Sequence, residues 1–134
     1  MKLYFDGLCQ PNPGGLACFG YVAYEGSSKI AEGFGEAWRG KGSTNNVAEY
    51  TALIKGLRHL LVLGYRGVTL NCLGDSQLVV NQMSGEWGVY SPRLKPLYEE
   101  AKDLAAYFDA TFDWVPHDLN KAHPLARKAY AEAL

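Results

Sequence analysis

The sequence has no long apolar run, no excess of basic residues and no paired-cysteine pattern. Its longest hydrophobic stretches are broken by Lys, Arg, Gly or Asp, well short of the roughly 20 residues a membrane-spanning helix needs. The opening MKLYFDG enters a strand pattern directly, without the apolar core of a leader peptide. The expected setting is therefore soluble and cytoplasmic. Thirteen Lys and Arg stand against 14 Asp and Glu, for a net charge of −1. That balance gives no bulk attraction to phosphate, which supplies most non-specific nucleic-acid affinity. Any such affinity has to be local, from a groove, from metal ions or from hydrogen bonds to a backbone. Cys9, Cys18 and Cys72 are odd in number and lack CxxC or Cys/His metal spacing. They lie in apolar, strand-like stretches and read as buried free thiols in a reducing compartment. GxGxxG, P-loop and nucleophile-elbow patterns are also missing, which argues against a small-molecule α/β enzyme of those kinds.

What is present is a chain of 134 residues, 48% hydrophobic. Such a chain is read as one domain, 1–134, that buries roughly two-thirds of its unfolded surface. A monomer is the expected state. Strands are expected over 2–8, 16–25 and 29–38, separated by the turn cluster QPNPGG and by Gly26-Ser27-Ser28. Short connections make these three an antiparallel meander. A helix follows over about 45–63, where Val47, Tyr50, Ile54, Leu57 and Leu61 recur at helical spacing. A fourth strand over 67–73 leads to a helix from Ser76 to about Ser84. Ser91-Pro92 reads as the start of a further helix running to about Phe108. A fifth strand over 110–115, a loop to Lys121 and a helix over 122–133 complete the chain. This order, βββαβαβα with an extra helix segment, implies an α/β fold: a mixed five-stranded sheet with helices on both faces.

Three acidic residues stand in short polar signatures: Asp6 in FDGLCQPNPGG, Glu49 in STNNVAEY and Asp75 in LGDSQLVVNQ. Asp6 lies within a strand, on the face opposite Leu3 and Phe5. Glu49 falls beside the apolar stripe of its helix, placed to lean over the sheet. Asp75 follows the fourth strand, at the carboxyl end where open α/β sheets place ligands. Each has a plain structural use, as an exposed strand acid, a complement to the helix dipole or a helix cap. One shared site explains all three at once. Converging carboxylates repel one another unless a cation lies between them, and a divalent metal is the usual occupant.

Laid out in order, these residues resemble the type 1 ribonuclease H family over essentially the whole chain. The resemblance is carried by Asp6-Gly7 with Asn12-Pro13-Gly14-Gly15, by Thr44-Asn45-Asn46-Val47-Ala48-Glu49 and by Asp75-Ser76-Gln77. Trp114-Val115-Pro116 and Asn120 with Leu125-Ala126 complete it. It implies a ribonuclease H-like fold and an endonuclease that cuts the RNA strand of an RNA–DNA hybrid, leaving 5′-phosphate and 3′-hydroxyl ends. Asp6, Glu49 and Asp75 would hold two Mg²⁺ or Mn²⁺ ions, roughly 4 Å apart. Gly7, Asn45, Asn46 and Gln77 belong to the implied substrate-binding set, with Asn45 and Gln77 in the minor groove, where the 2′-hydroxyl separates RNA from DNA. Asn12 and Thr44 resemble the family's pocket for a phosphate of the DNA strand. Turn chemistry and helix capping are their structural alternatives.

The chain also departs from the family pattern. The last helix of the family usually opens with a fourth acid, in a segment like N-x-x-A-D-x-L-A. Here the segment is one residue shorter and His123 stands where the Asp would be. As a neutral ligand, His123 removes one negative charge and suits Mn²⁺ better than Mg²⁺. The expectation is an active enzyme, weaker in Mg²⁺ than an Asp variant, with His123 as the fourth ligand or Asp118 in its place. His117 matches a loop His associated with product release in some relatives, and histidine suits proton transfer near neutral pH. The basic, Trp-bearing helical protrusion of some relatives is reduced to GEWGVYSPRLKPLYEE, which implies modest affinity for hybrid. Same-fold cleavage of double-stranded RNA and a non-catalytic hybrid-binding domain are the alternative readings.

Overall fold

The computed structural model describes residues 1–134. Five strands, β1 (Lys2–Gln10), β2 (Leu16–Glu25), β3 (Ser28–Arg39), β4 (Thr69–Gly74) and β5 (Asp109–Trp114), form one sheet in the order β3-β2-β1-β4-β5. The meander β1-β2-β3 is antiparallel, while β4 runs parallel to β1, and β5 to β4. This is the mixed sheet expected from the element order, and β1 at its centre carries the first acid.

The helices are α1 (Asn45–Val62), α2 (Gln77–Met83), α3 (Lys95–Ala105) and α4 (His123–Ala133). Period-two alternation along β1 divides them between two faces. Leu3 and Phe5 pack with α1, α2 and α3 into one cluster that includes Leu53, Leu57, Leu60, Leu70, Val79 and Met83. Tyr4 points the other way and meets Val22, Leu73 and Ala122 beneath α4. The first cluster is far larger, with 22 buried residues against four, so most of the apolar burial lies on the α1 face.

Two glycines let the helices approach. A β-carbon on Gly7 would lie 2.4 Å from the backbone of Ala48 and Glu49, and one on Gly20 would lie 2.5 Å from the Ala126 nitrogen. No side chain fits at either distance, so glycine at these positions allows α1 and α4 to sit directly on β1 and β2.

The largest difference from the expected boundaries is at α3. The helix expected from Ser91-Pro92 begins at Lys95. Pro96 is the reason: four residues into a helix it would lack the N–H for the first turn's carbonyl and would clash with it. The helix starts where Pro96 falls in its first turn, and the Ser91 hydroxyl accepts from the Leu94 N–H in the turn before it, at 3.3 Å. The 117–119 part of the loop after β5 forms a single 3₁₀ turn. No basic protrusion intervenes between α2 and α3. Trp87 there is half exposed. No helix is long and apolar enough to cross a membrane.

Candidate active site

The β1–β4 register brings two of the acids together. Tyr4 pairs with Leu73 in parallel, and two further steps set Asp6 beside Asp75, just beyond the end of β4. The Ser76 hydroxyl, rather than Asp75, caps α2 by accepting from the Val79 N–H. Asp75 is thus left free of a capping role, and its backbone carbonyl accepts from the Trp114 indole at 3.1 Å. Glu49 arrives from α1, whose first turn is fixed by the Thr44 cap. It is tied to β1 where the Cys9 N–H donates to Asn45 Oδ1 at 2.7 Å.

The result is a cluster of Asp6, Glu49 and Asp75 with ligand oxygens all within 4.8 Å of one another. Asp6 is 3% and Glu49 5% exposed. Burial, and then the neighbouring Asp6 and Asp75 charges, hold the Glu49 carboxyl well above the usual carboxylate range. Burial and Asp6 also raise Asp75, against the opposing pull of His117. Glu49 Oε2 is buried with no hydrogen-bond partner. Buried polar atoms are almost always paired. An unpaired carboxylate oxygen among two other carboxylates is the arrangement a hard divalent cation resolves, so the donor set fits a Mg²⁺- or Mn²⁺-type ion.

Two histidines close the rim. His123 Nδ1 lies 2.7 Å from Asp6 Oδ2, and His117 Nδ1 lies 3.2 Å from Asp75 Oδ2. Their rings are 3.8 Å apart between centroids. His123 therefore touches the cluster through Asp6, with Nδ1 already engaged and Nε2 as its second nitrogen. Asp118 is exposed on the 3₁₀ turn and does not line the groove, whereas both histidines do. The start of α4 is held by Asn120, whose buried amide donates to the Phe5 carbonyl at 2.9 Å while its oxygen accepts from the Ala122 N–H. Asn120 thus anchors α4 to the residue preceding Asp6.

The acids open onto a groove of about 1150 Å³, whose lining includes Gly7, Asn12, Asn45 and Asn46. Asn46 also borders a second cleft of about 430 Å³, with Thr44, Tyr90 and Arg93. Asn12 and Thr44 thus face different depressions. Their side chains hold the α1 start, Asn12 by accepting from the Asn45 N–H at 3.1 Å and Thr44 by capping. Gln77 is exposed, receives an N–H from Asn81 and lines neither cleft. The sequence reading passed over Arg127 and Tyr130, which line the main groove. Their spacing from His123, four and seven residues along one helix, was the available signal.

The family described as reverse transcriptase-like matches the chain over residues 5–129. The chain is 40% identical over 132 aligned residues to the bifunctional protein Rv2228c of Mycobacterium tuberculosis. The solved N-terminal RNase H domain of that protein superposes with a TM-score of 0.90 at 39% identity, covering 98% of this chain and 94% of that one. The chain is a ribonuclease H-like domain of this family. It is also 39% identical over 136 residues to the ribonuclease HI of Halobacterium salinarum. The domain covers 96% and 97% of itself in these two matches, but spans only 32% of the bifunctional protein and 64% of the Halobacterium enzyme. LC11-RNase H1, solved in complex with an RNA/DNA hybrid, matches the ribonuclease H-like domain with a TM-score of 0.88 at 29% identity, covering 98% of this chain and 97% of that one.

Proposed function

We propose that this domain, residues 1–134, is the catalytic unit of an endoribonuclease that cleaves the RNA strand of RNA–DNA hybrids. The observation that carries the reading is the convergence of Asp6, Glu49 and Asp75 from three separate elements, with a buried Glu49 oxygen left unpaired. Similarity to relatives that are named ribonucleases H supports it.

Asp6, Glu49 and Asp75, with His123 beside Asp6, would hold two Mg²⁺ or Mn²⁺ ions. Such ions, when bound, activate a water and stabilise the leaving oxygen in an in-line displacement. The chemistry is a hydrolysis: a water oxygen bonds to phosphorus as the P–O3′ bond breaks, the 3′-oxygen takes up a proton, and 5′-phosphate and 3′-hydroxyl ends result. Asp6 and Asp75 orient the two imidazoles through the contacts at 2.7 and 3.2 Å. His117, the more exposed of the pair, stands at the rim where an imidazole can pass a proton. The α1 start presents the amides of Asn45 and Asn46 to the groove, where they suit 2′-hydroxyls and base edges. The three free, buried cysteines fit a reducing compartment such as the cytoplasm, and we read the domain as acting as a monomer.

The test is cleavage of an end-labelled RNA–DNA hybrid beside RNA–RNA and DNA–DNA duplexes, with Mg²⁺, Mn²⁺ or chelator. The expected result is hybrid cleavage that requires metal and falls by at least about a thousandfold in Asp6→Asn, the scale on which loss of a key electrostatic group acts. Equal cleavage of RNA–RNA duplex would replace hybrid specificity with a broader nuclease. Hybrid binding without cleavage in either metal would leave a binding domain only.

A further inference from the structure

The groove runs well past its acids. Side chains alternate along β1, so Asp6, Leu8 and Gln10 share one face and form the groove floor in that order. At about 3.3 Å per residue, that floor extends roughly 13 Å beyond Asp6. Leu8 pairs with Cys18 of β2, and Gln10 with Leu16. Tyr130 of α4 packs on Leu16, Cys18 and Ala129, and Leu8 borders the same cluster. The ring therefore stands beside the Leu8–Gln10 end of the floor. It is seven residues from His123, or about 10 Å along the helix, and His123 touches Asp6.

Tyr130 is only partly buried and presents the rest of its surface to the groove. Electrostatic help is scarce there. One lining residue, Arg127, is a Lys or Arg, and the net charge of −1 adds no long-range attraction. A strand lying along this wall therefore needs contacts of another kind. A tyrosine ring supplies a large apolar area and loses little freedom when it is covered. In a paired, A-like helix the bases are stacked inside and the shallow groove displays the sugars. The ring thus meets a sugar rather than a base.

We propose that Tyr130, with Leu8 beside it, is an apolar rest for a ribose of the RNA strand, beyond the nucleotides joined at the scissile phosphate. It sets how far the strand must extend on one side of the cut to be held well. The proposal rests on the reading of the domain as a hybrid-cleaving nuclease and adds a specificity-determining residue to it. Tyr130 touches no reacting atom, so it acts on substrate binding and leaves the chemical step alone.

The experiment maps cleavage site by site in Mg²⁺ on end-labelled hybrids, with the RNA trimmed one nucleotide at a time from either end. Wild type, Tyr130→Ala, Tyr130→Phe and Tyr107→Ala are compared. Tyr107 is the control, an exposed ring beside Arg66 and outside the groove. Wild type should show a step in kcat/KM, on one side of the cut only, where the strand becomes long enough to reach the ring. Tyr130→Ala should abolish that step and raise KM on long hybrids roughly two- to tenfold, the size of one aromatic contact, at nearly constant kcat. Tyr130→Phe should keep the step, and Tyr107→Ala should match wild type. A sugar contact releases no counterion, so the slope of log KM against log salt should be the same in Tyr130→Ala as in wild type.

A step that survives in Tyr130→Ala overturns the proposal, as does an equal loss at every length. So does a Tyr130→Phe defect as large as that of Tyr130→Ala, or a shallower salt slope in Tyr130→Ala. If denaturant melts show that Tyr130→Ala does not fold, Tyr130→Gln is read in the same way, because it keeps methylene groups on the cluster and removes the ring. Failure of the wild type to cut hybrid would instead overturn the activity. Fluorescence anisotropy with the same trimmed hybrids then decides on Tyr130: an affinity step present in wild type and absent from Tyr130→Ala supports the contact, and a step in both or in neither removes it.

Discussion

The two halves of α1 bury side chains with opposite energetic consequences. Toward its C-terminal half, Leu57 and Leu60 are fully buried in the large cluster against Leu3, Phe5 and Leu70. At its first turns, Glu49 is nearly as inaccessible, at 5% exposure, yet faces two other carboxylates and has an unpaired oxygen. Burying an apolar side chain stabilises by roughly 1.5–3 kcal/mol, whereas burying an unpaired carboxylate destabilises unless a partner arrives. One helix therefore carries both the main apolar anchor of the fold and a strained charge. The lesson is spatial: the α1 core lets the site end of the same helix be electrostatically unfavourable in the absence of a cation.

The contrast is sharpest in Glu49→Gln. Cleavage should fall by at least about a thousandfold, while the metal-free protein becomes more stable near pH 7, because the amide brings no charge into the buried, carboxylate-lined position. The sign follows from proton linkage. A carboxyl raised in the folded state binds more protons folded than unfolded, so stability is lost as pH rises from the unfolded value through the folded one. Urea titrations of metal-free wild type from about pH 5 to 8 should show that decline, and Glu49→Gln should flatten it. A variant that is less stable at neutral pH would erase the distinction between the two halves.

The apolar half is tested by Leu57→Ala, which should cost about 2–5 kcal/mol as a core cavity. Measured by denaturant melts, it should leave kcat of the folded fraction near wild type. The remaining predictions concern the rim. His123→Asp restores a negative charge at the edge of the cluster and should raise Mg²⁺-supported activity by up to about tenfold while lowering the Mn²⁺-to-Mg²⁺ ratio. Equal or better Mg²⁺ activity in the wild type would count against His123 as a stand-in for the fourth acid. His117→Ala, at a largely exposed ring, is expected to have the smallest effect: a fall in kcat of a few-fold, with metal affinity measured by calorimetry unchanged.

Much of this arrangement was legible beforehand where periodicity or a motif spoke directly. The three meander strands, the α1 stripe and the Asp75 position after a strand all follow from local pattern. Pro96 moved the start of α3 because a second proline, rather than the Ser-Pro signal ahead of it, controlled where the helix could begin. Thr44 and Asn12 proved to spend their oxygens on the α1 start, a use that composition could not separate from phosphate binding. Arg127 escaped notice because a single Arg on an amphipathic helix has no distinctive local signal. Only the lie of α4 along the groove gives it a neighbour.

By itself the sequence determined the order of elements and singled out the three acids, and its resemblance to a family pattern pointed to His123 or Asp118 in the place of a fourth. Local rules suffice for the element order, since helix and strand periods are properties of adjacent residues. Tertiary structure alone decided that Asp75 comes level with Asp6 through the β1–β4 register, that Glu49 loses its solvent and an oxygen partner, and that His123 reaches the site through Asp6. Those outcomes depend on distances between segments far apart in the chain, set by close approaches at Gly7 and Gly20, and no local pattern encodes such distances.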